Sequence, residues 1–309
     1  TDLDFSEHIW LACHDHVEEN VEIAETIWEE NALEVEDDSY GKIMGYLSSK
    51  DSSLRGAAAR ALAHAIEFKP SVFSDIVAEL EEKYATESKP KEPGKDKYGM
   101  PLKVDMTDHW ETRSGIALAF NAMANGFEGD QIPSFLGFLI ERGPLVDRSS
   151  VVRAQMESSG SSVIAARGHQ RIEELMKILE ATLETSDKAT ETSDLLNESV
   201  IVLYGSLARH LKADDPRLQV VVKKLLAALP TPSETVQSAV SGCLPPLIRL
   251  SGRQSAEYVQ EMMDQILRSK EYAVQRGAAY GLAGIVAGRG ISTLREFKVM
   301  SLLKEGAEN

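Results

Sequence analysis

One spacing of apolar and small residues recurs along this chain, with offsets 0, +4, +7, +8, +11 and +12, a pattern that lines one face of an α-helix. It reads Leu54, Ala58, Ala61, Leu62, Ala65, Ile66, and then Thr112, Ile116, Ala119, Phe120, Met123, Ala124. It returns at Val152, Met156, Ser159, Gly160, Val163, Ile164, and more weakly at Ser199, Leu203, Ser206, Leu207, His210, Leu211. The last copies are Val236, Val240, Cys243, Leu244, Leu247, Ile248 and Val274, Ala278, Gly281, Leu282, Ile285, Val286. A more strongly apolar helical stretch follows each copy, carrying for example Val72, Ile76, Val77 and Leu80, or Leu218, Val221, Val222 and Leu225. Upstream, residues 5–17 and 21–35 predict two amphipathic helices, with Phe5, Ile9, Ala12, Cys13 and His16 on one face of the first. A short helix over 40–48 follows, and no stretch alternates with period two, so no sheet is expected.

Successive copies begin about 40 residues apart once residues 87–104 are set aside as an eighteen-residue insertion. A helical period near 40 is the signature of a HEAT-type array. The predicted fold is therefore all-α: one HEAT-repeat solenoid over 1–309 with about seven repeats of antiparallel helix pairs. Two irregular stretches interrupt it. Residues 87–105, rich in Lys, Pro and Gly, predict a mobile loop on one edge, and residues 185–195 a shorter polar loop. Pro70 and Pro216 sit where second helices should begin, a position that tolerates the missing N–H, and Pro245-Pro246 predicts a kink in the fifth copy. The first helices are rich in small residues at Gly56–Ala59, Ser158–Ser162 and Gly277–Ala279, which let neighbouring helices approach closely.

Charge changes this picture at one end. The net charge is −16, but residues 1–38 hold fourteen Asp and Glu and no Lys or Arg, so the remainder is nearly neutral. That acidic first helical pair suits either a solvated outer face or a dock for a basic tail, with Trp10 and Trp28 partly exposed if no helices precede them. No apolar run approaches the ~20 residues of a membrane span, and no basic-then-apolar leader opens the chain. We read the chain as a section of a longer solenoid. Cys13 and Cys243 lie on apolar faces and read as small core residues in a reducing compartment. The Asn197-Glu198-Ser199 sequon is set aside for want of a secretion signal.

Little here suggests catalysis. Cys13, His14, Asp15 and His16, with His8 upstream, are the best metal candidates, but consecutive helical residues point about 100° apart and cannot converge on one ion. The glycines of Gly277–Gly290 lie inside a helical period with no preceding strand, unlike a dinucleotide loop, with Gly288 and Gly290 reading as a helix stop. Ser158–Ser162 likewise follows no strand and is no nucleophile elbow. No catalytic, cofactor-binding or metal residue is assigned. The candidates for partner contact are cationic. Arg55, Arg113 and Arg153 recur at offset +1, with Asp51, Asp108 and Asp147 a few residues earlier and Gln237 and Gln275 at that offset later. They suit an Asp–Arg ladder between turns or a contact surface. Lys89, Lys91, Lys95, Lys97 and Lys103 surround Tyr98 and Met100, a mixture suited to RNA or an acidic protein, although interspersed acids dilute the charge.

Several segments resemble one family. They are Trp110-Glu-Thr-Arg-Ser-Gly-Ile-Ala-Leu-Ala119, Val202-Leu-Tyr-Gly-Ser-Leu-Ala-Arg-His-Leu211 and Pro232-Ser-Glu-Thr-Val-Gln-Ser-Ala-Val-Ser-Gly-Cys-Leu-Pro-Pro-Leu247. Gly277-Ala-Ala-Tyr-Gly-Leu-Ala-Gly-Ile-Val286 and Gly290-Ile-Ser-Thr-Leu294 join them. They are similar to the middle of the general control translational activators, very long HEAT-repeat proteins that bind ribosomes and activate the kinase of initiation factor two. The later segments lie in or beside that family's part similar to fungal elongation factor three. The resemblance runs from about Ser53 to the end, clearest from residue 197, and does not cover 1–52 or the 87–105 loop.

The resemblance implies a non-catalytic cytoplasmic scaffold section. It would contact the ribosome, through ribosomal proteins more than bare RNA because the section lacks a cationic face. It would serve kinase activation in amino-acid starvation and ribosome stalling, with the kinase bound by other regions of the full-length protein. No membrane and no small-molecule substrate is implied. The alternative is a transport-receptor or phosphatase-scaffold type of solenoid whose acidic first helices take a basic partner.

Overall fold

The computed structural model describes residues 5–90, 97–98, 100, 108–185 and 190–308. Among these every regular element is helical, and no helix is long and apolar enough to cross a membrane. The fold is all-α, of the HEAT-repeat solenoid class. The chain divides into two compact units, Thr1–Glu128 with Gly137–Val163, and Gly129–Leu136 with Ile164–Asn309.

The first unit holds α1 (Ser6–Ala12), α2 (Glu18–Glu30), α3 (Ser39–Tyr46), α4 (Ser52–Phe68), α5 (Phe73–Glu87) and α6 (Glu111–Ala122). Parts of α7 (Gln131–Glu141) and α8 (Ser150–Arg167) complete it. The recurrent template is its core: Ala58, Ala61, Leu62 and Ala65 of α4 and Ile116, Ala119 and Phe120 of α6 are fully buried. Burying such side chains stabilises by roughly 1–3 kcal/mol each, which is what holds a helix pair that has no ladder to a neighbour. Asp51 caps α4 by accepting the N–H of Ser53 at 2.8 Å. Gly115 lies so close to the Leu47 carbonyl that any Cβ there would collide with it.

The second unit holds α9 (Ile172–Thr185), α10 (Glu191–Ala208), α11 (Arg217–Ala227), α12 (Glu234–Leu250), α13 (Ser255–Arg268), α14 (Tyr272–Arg289), α15 (Ser292–Glu296) and α16 (Val299–Glu308). Its template positions are buried except at Ser206, His210, Cys243, Val274 and Val286, which are half-buried. Along α14, Gly277 meets the Leu229 carbonyl, Gly284 the Ser241 carbonyl and Gly288 the Pro245 carbonyl. Small residues thus let helix backbones touch.

Several boundaries differ from the sequence reading. The helix expected over 5–17 stops at Ala12, because the Asp15 carboxylate takes the N–H groups of His16 and Val17 and the amide of Asn20. His16, beyond that end, is exposed rather than on a buried face, and Phe5, which precedes the helix, is exposed as well. Helix α12 runs through Pro245-Pro246 without a break, and the Ser241 carbonyl, which Pro245 leaves without its i+4 donor, lies against Gly284. Pro70 opens a 3₁₀ turn over Pro70–Val72, and α5 starts only at Phe73. Gly290 alone ends α14, with φ +103°, while Gly288 is inside it. The final partner helix is split at Lys298, which has φ +50°. Thr190 caps α10 from Glu191, so the expected 185–195 loop narrows; its residues 186–189 lie outside the described residues, as do 91–96, 99 and 101–107 of the 87–105 loop.

Candidate functional site

The insertion leaves α5 at Glu87 and rejoins the array at Asp108, and a buried ionic network ties those ends together. Arg113, on α6 with a fully buried side chain, donates Nε and Nη2 to the Asp147 carboxylate at 2.8 and 3.0 Å. It donates Nη1 and Nη2 to Asp108 at 3.0 and 2.8 Å, and Nη1 reaches the Glu87 carbonyl at 3.4 Å. Arg148 repeats the stitch from outside, donating to Asp108 at 2.9 Å and to the Ser88 carbonyl at 2.8 Å. The Tyr84 hydroxyl donates to Asp147 at 2.7 Å.

Electrostatics follow from this geometry. Hydrogen bonds from Arg113, then from Arg148, hold the Asp108 carboxyl down at about 2. Burial alone would lower the Arg113 pKa, but its bonds to Asp108 and Asp147 outweigh that and raise it. Burial, with Asp147 beside it, raises Tyr84. All charges in the neck are fixed and compensated, so it anchors rather than reacts.

Of the loop lysines, Lys89 is exposed just beyond this neck, and the Lys97 ammonium lies 5.0 Å from the centre of the Tyr98 ring. Tyr98 is 78% exposed and Met100 64%. Lys91, Lys95 and Lys103 lie outside the described residues.

Two of the three offset +1 arginines face inward. Arg55 and Arg113 are buried, so neither presents its guanidinium to a partner. Only Arg113 engages the expected aspartates. Arg55 donates to the Ser49 and Lys50 carbonyls at 2.8 and 3.1 Å, and half-buried Arg153 to the Asp147 carbonyl at 2.6 Å. Gln237 and Gln275 act alike: Gln237 donates to the carbonyls of Leu229, Thr231 and Ala273, and Gln275 to those of Ile266 and Ser269. Where offset +1 is Arg or Gln, it is therefore a clamp that turns back to acceptors around the linker before its helix. Sequence reasoning missed it because carbonyl acceptors carry no residue signature.

At the acidic end, Trp10 is buried, donates Nε1 to the Ala61 carbonyl at 3.0 Å and lies 4.8 Å from half-buried Trp28. His14 bonds the Trp10 carbonyl and the His64 ring, and burial lowers its pKa. His8 instead meets Tyr46, and burial, with Glu25 nearby, pushes the Cys13 thiol up to about 11. Among the described residues no three His, Cys, Asp or Glu side chains are placed to hold a metal ion. Ser159 donates to the Ala117 carbonyl and Ser162 to Asn121, binding α8 to α6.

The family model described as the HEAT repeats of the stalled ribosome sensor GCN1 matches residues 1–209. The eIF-2-alpha kinase activator GCN1 of Saccharomyces cerevisiae is 34% identical over 99% of this chain and 12% of its own length. The stalled ribosome sensor GCN1 of Homo sapiens is 31% identical over 99% of the chain and 11% of its own. Protein ILITYHIA of Arabidopsis thaliana is 35% identical over 96% and 11%. The chain thus spans about a tenth of the length of these relatives. The match takes in residues 1–52, which the quoted motifs left out. Those motifs centre on small-residue first helices, whereas α1 packs on α4 through a tryptophan.

Proposed function

The chain belongs to the GCN1 HEAT-repeat family, and on that premise we propose that it is a non-catalytic scaffold section of a ribosome-associated translational activator. In this reading the section works in the cytoplasm as part of a longer array. It holds the ribosome through ribosomal proteins and leaves kinase binding to other regions of the full-length protein. The relatives' names, sensor of stalled ribosomes and activator of a kinase, support the reading.

The observation that carries it is the pinned neck. Arg113 and Arg148 join the two ends of a lysine-bearing insertion through Asp108, Glu87 and Ser88, which fixes its base. A fixed base lowers the ordering cost of docking whatever it displays. The near-neutral charge outside residues 1–38 favours a protein surface over bare RNA phosphate.

Co-sedimentation with purified ribosomes across a salt series tests this, beside a variant in which residues 89–107 are replaced by a short Gly/Ser link. Salt-sensitive pelleting that the variant loses is expected. Absence of pelleting for both proteins, at concentrations where a full-length relative pellets, reduces this stretch to a spacer.

A further inference from the structure

Charge is segregated along the edges of the second unit. Residues 165–172 lead from α8 into α9, 208–217 from α10 into α11, and 249–256 from α12 into α13. These three turns hold seven Lys and Arg against two Asp. The linkers on the other edge, 228–233 and 269–271, hold one Lys and one Glu. Packing sets the three turns in a row. The His210 ring lies 5.7 Å from the His169 ring, and its Nε2 donates to the Ile164 carbonyl at 2.7 Å. One repeat further on, Cys243 of α12 donates to the Ile201 carbonyl of α10 at 3.6 Å, and Tyr258 of α13 to Gln219 of α11. In sequence, each turn has a further repeat of this chain before and after it. Stacked repeats cover one another's faces and leave their turns at the edge.

Two of the edge cations are neutralised within the fold. Arg171 pairs with Asp130 and Glu174, and Arg217 with Asp215 and Glu173. Arg209, Lys212, Arg249 and Arg253 differ: all four are exposed, and among the described residues none has a side-chain partner. The helix dipole favours Arg249 in the last turn of α12, but Lys212 and Arg253 lie past the helix ends. Lys212 and Arg249 occupy the same offset, +13, of successive repeats. They therefore stand about one helix spacing apart, ~10 Å. Asp214 is the one exposed acid in the three turns. None of the chain's exposed large apolar side chains falls in them. A protein partner is held by buried aromatic or aliphatic anchors, which this edge lacks, whereas phosphate contacts need cations alone.

We propose that this edge of the second unit binds the phosphate backbone of RNA without reading its sequence, through Arg209, Lys212, Arg249 and Arg253. It goes beyond the ribosome contact of the insertion, which belongs to the first unit. The choice of RNA over DNA rests on the cytoplasmic scaffold reading; the phosphate contact itself does not.

The test is fluorescence anisotropy of a labelled RNA duplex of about 20 base pairs titrated with this chain. Saturable binding is expected, with a log affinity against log salt slope of about −3 to −4, the value for four phosphate contacts. Affinity should then fall roughly a hundredfold between about 0.05 and about 0.2 M salt. Lys212→Gln with Arg249→Gln, on exposed positions and checked for unchanged melting, should lower the slope by about two and weaken binding about tenfold. Lys223→Gln with Lys270→Gln removes equal charge from exposed positions off this edge and should leave affinity within about twofold. Replacement of residues 89–107 should leave it unchanged as well. Equal loss in the Lys223 and Lys270 variant, or unchanged affinity in the Lys212 and Arg249 variant, reduces the effect to diffuse attraction and overturns the proposal. No binding at about 0.05 M salt overturns it too. A Glu-rich peptide that displaces the duplex as well as unlabelled RNA does, at equal charge, makes the occupant an acidic protein and has the same consequence. The duplex carries no ribosomal protein, so failure here leaves the pelleting experiment untouched and the two readings fall separately.

Discussion

Arg113 in the first unit and Gln237 in the second occupy the same offset of the same repeat, both fully buried, and do one task with different chemistry. Gln237 faces a short linker and satisfies it with neutral amide bonds to the carbonyls of Leu229 and Thr231, adding the Ala273 carbonyl of the next helix. Its own carbonyl oxygen accepts from Arg276 at 2.7 Å. Arg113 follows the insertion, and there two carboxylates join the Glu87 carbonyl as its acceptors. A short linker can be closed by dipoles. A long one needs charges whose desolvation is offset by several simultaneous bonds.

The largest expected effect is at Arg113. Arg113→Met leaves the Asp147 carboxylate buried without its main cation, which should cost about 3–5 kcal/mol by urea denaturation. A loss below about 1 kcal/mol would mean that Arg148 and Tyr84 suffice, and the contrast with Gln237 would collapse. Next comes Gly277→Ala, whose Cβ runs into the Leu229 carbonyl that Gln237 holds; a loss of about 2–3 kcal/mol is expected in the same assay. Gln237→Ala should cost about 1–2 kcal/mol, since carbonyls lose a neutral donor rather than a charge.

The smallest effect separates the two clamps by pH. Asp108 has its pKa held below the ordinary value, so its contribution is present above about pH 4 and lost as pH falls toward about 2. Asp108→Asn should reduce that slope of the melting temperature, whereas Gln237→Ala should leave it unchanged. His14 acts in a separate window. Burial lowers its folded pKa below 6.5, so stability falls as pH drops below that value, and His14→Gln should flatten only that step.

The repeat was legible because burial is periodic. Ile116, Val152, Val240 and Ala278 stand at template positions and are fully buried. The weak fourth copy was weak for cause, since two of its three polar members, Ser206 and His210, are only half-buried. The Arg113–Asp108 pair was legible from local spacing. Its second partner, Asp147, was not, because that residue comes from the following repeat and had been grouped with Arg153. The early end of α1 does carry a sequence signal: Asp15 with Asn20 is a side-chain turn that competes with helix continuation. The exposure of Ile23 and Ile27 was not legible because residues 21–35 read as one amphipathic face, while the helix ends at Glu30.

The neck also makes the insertion's length a free variable. With Glu87, Ser88 and Asp108 already held by Arg113 and Arg148, the repeat no longer registers how much chain runs between them. Doubling a closed loop adds only about 0.6 kcal/mol of closure entropy. Insertions of very different size and composition should therefore be graftable at this position while the helices on either side keep their register.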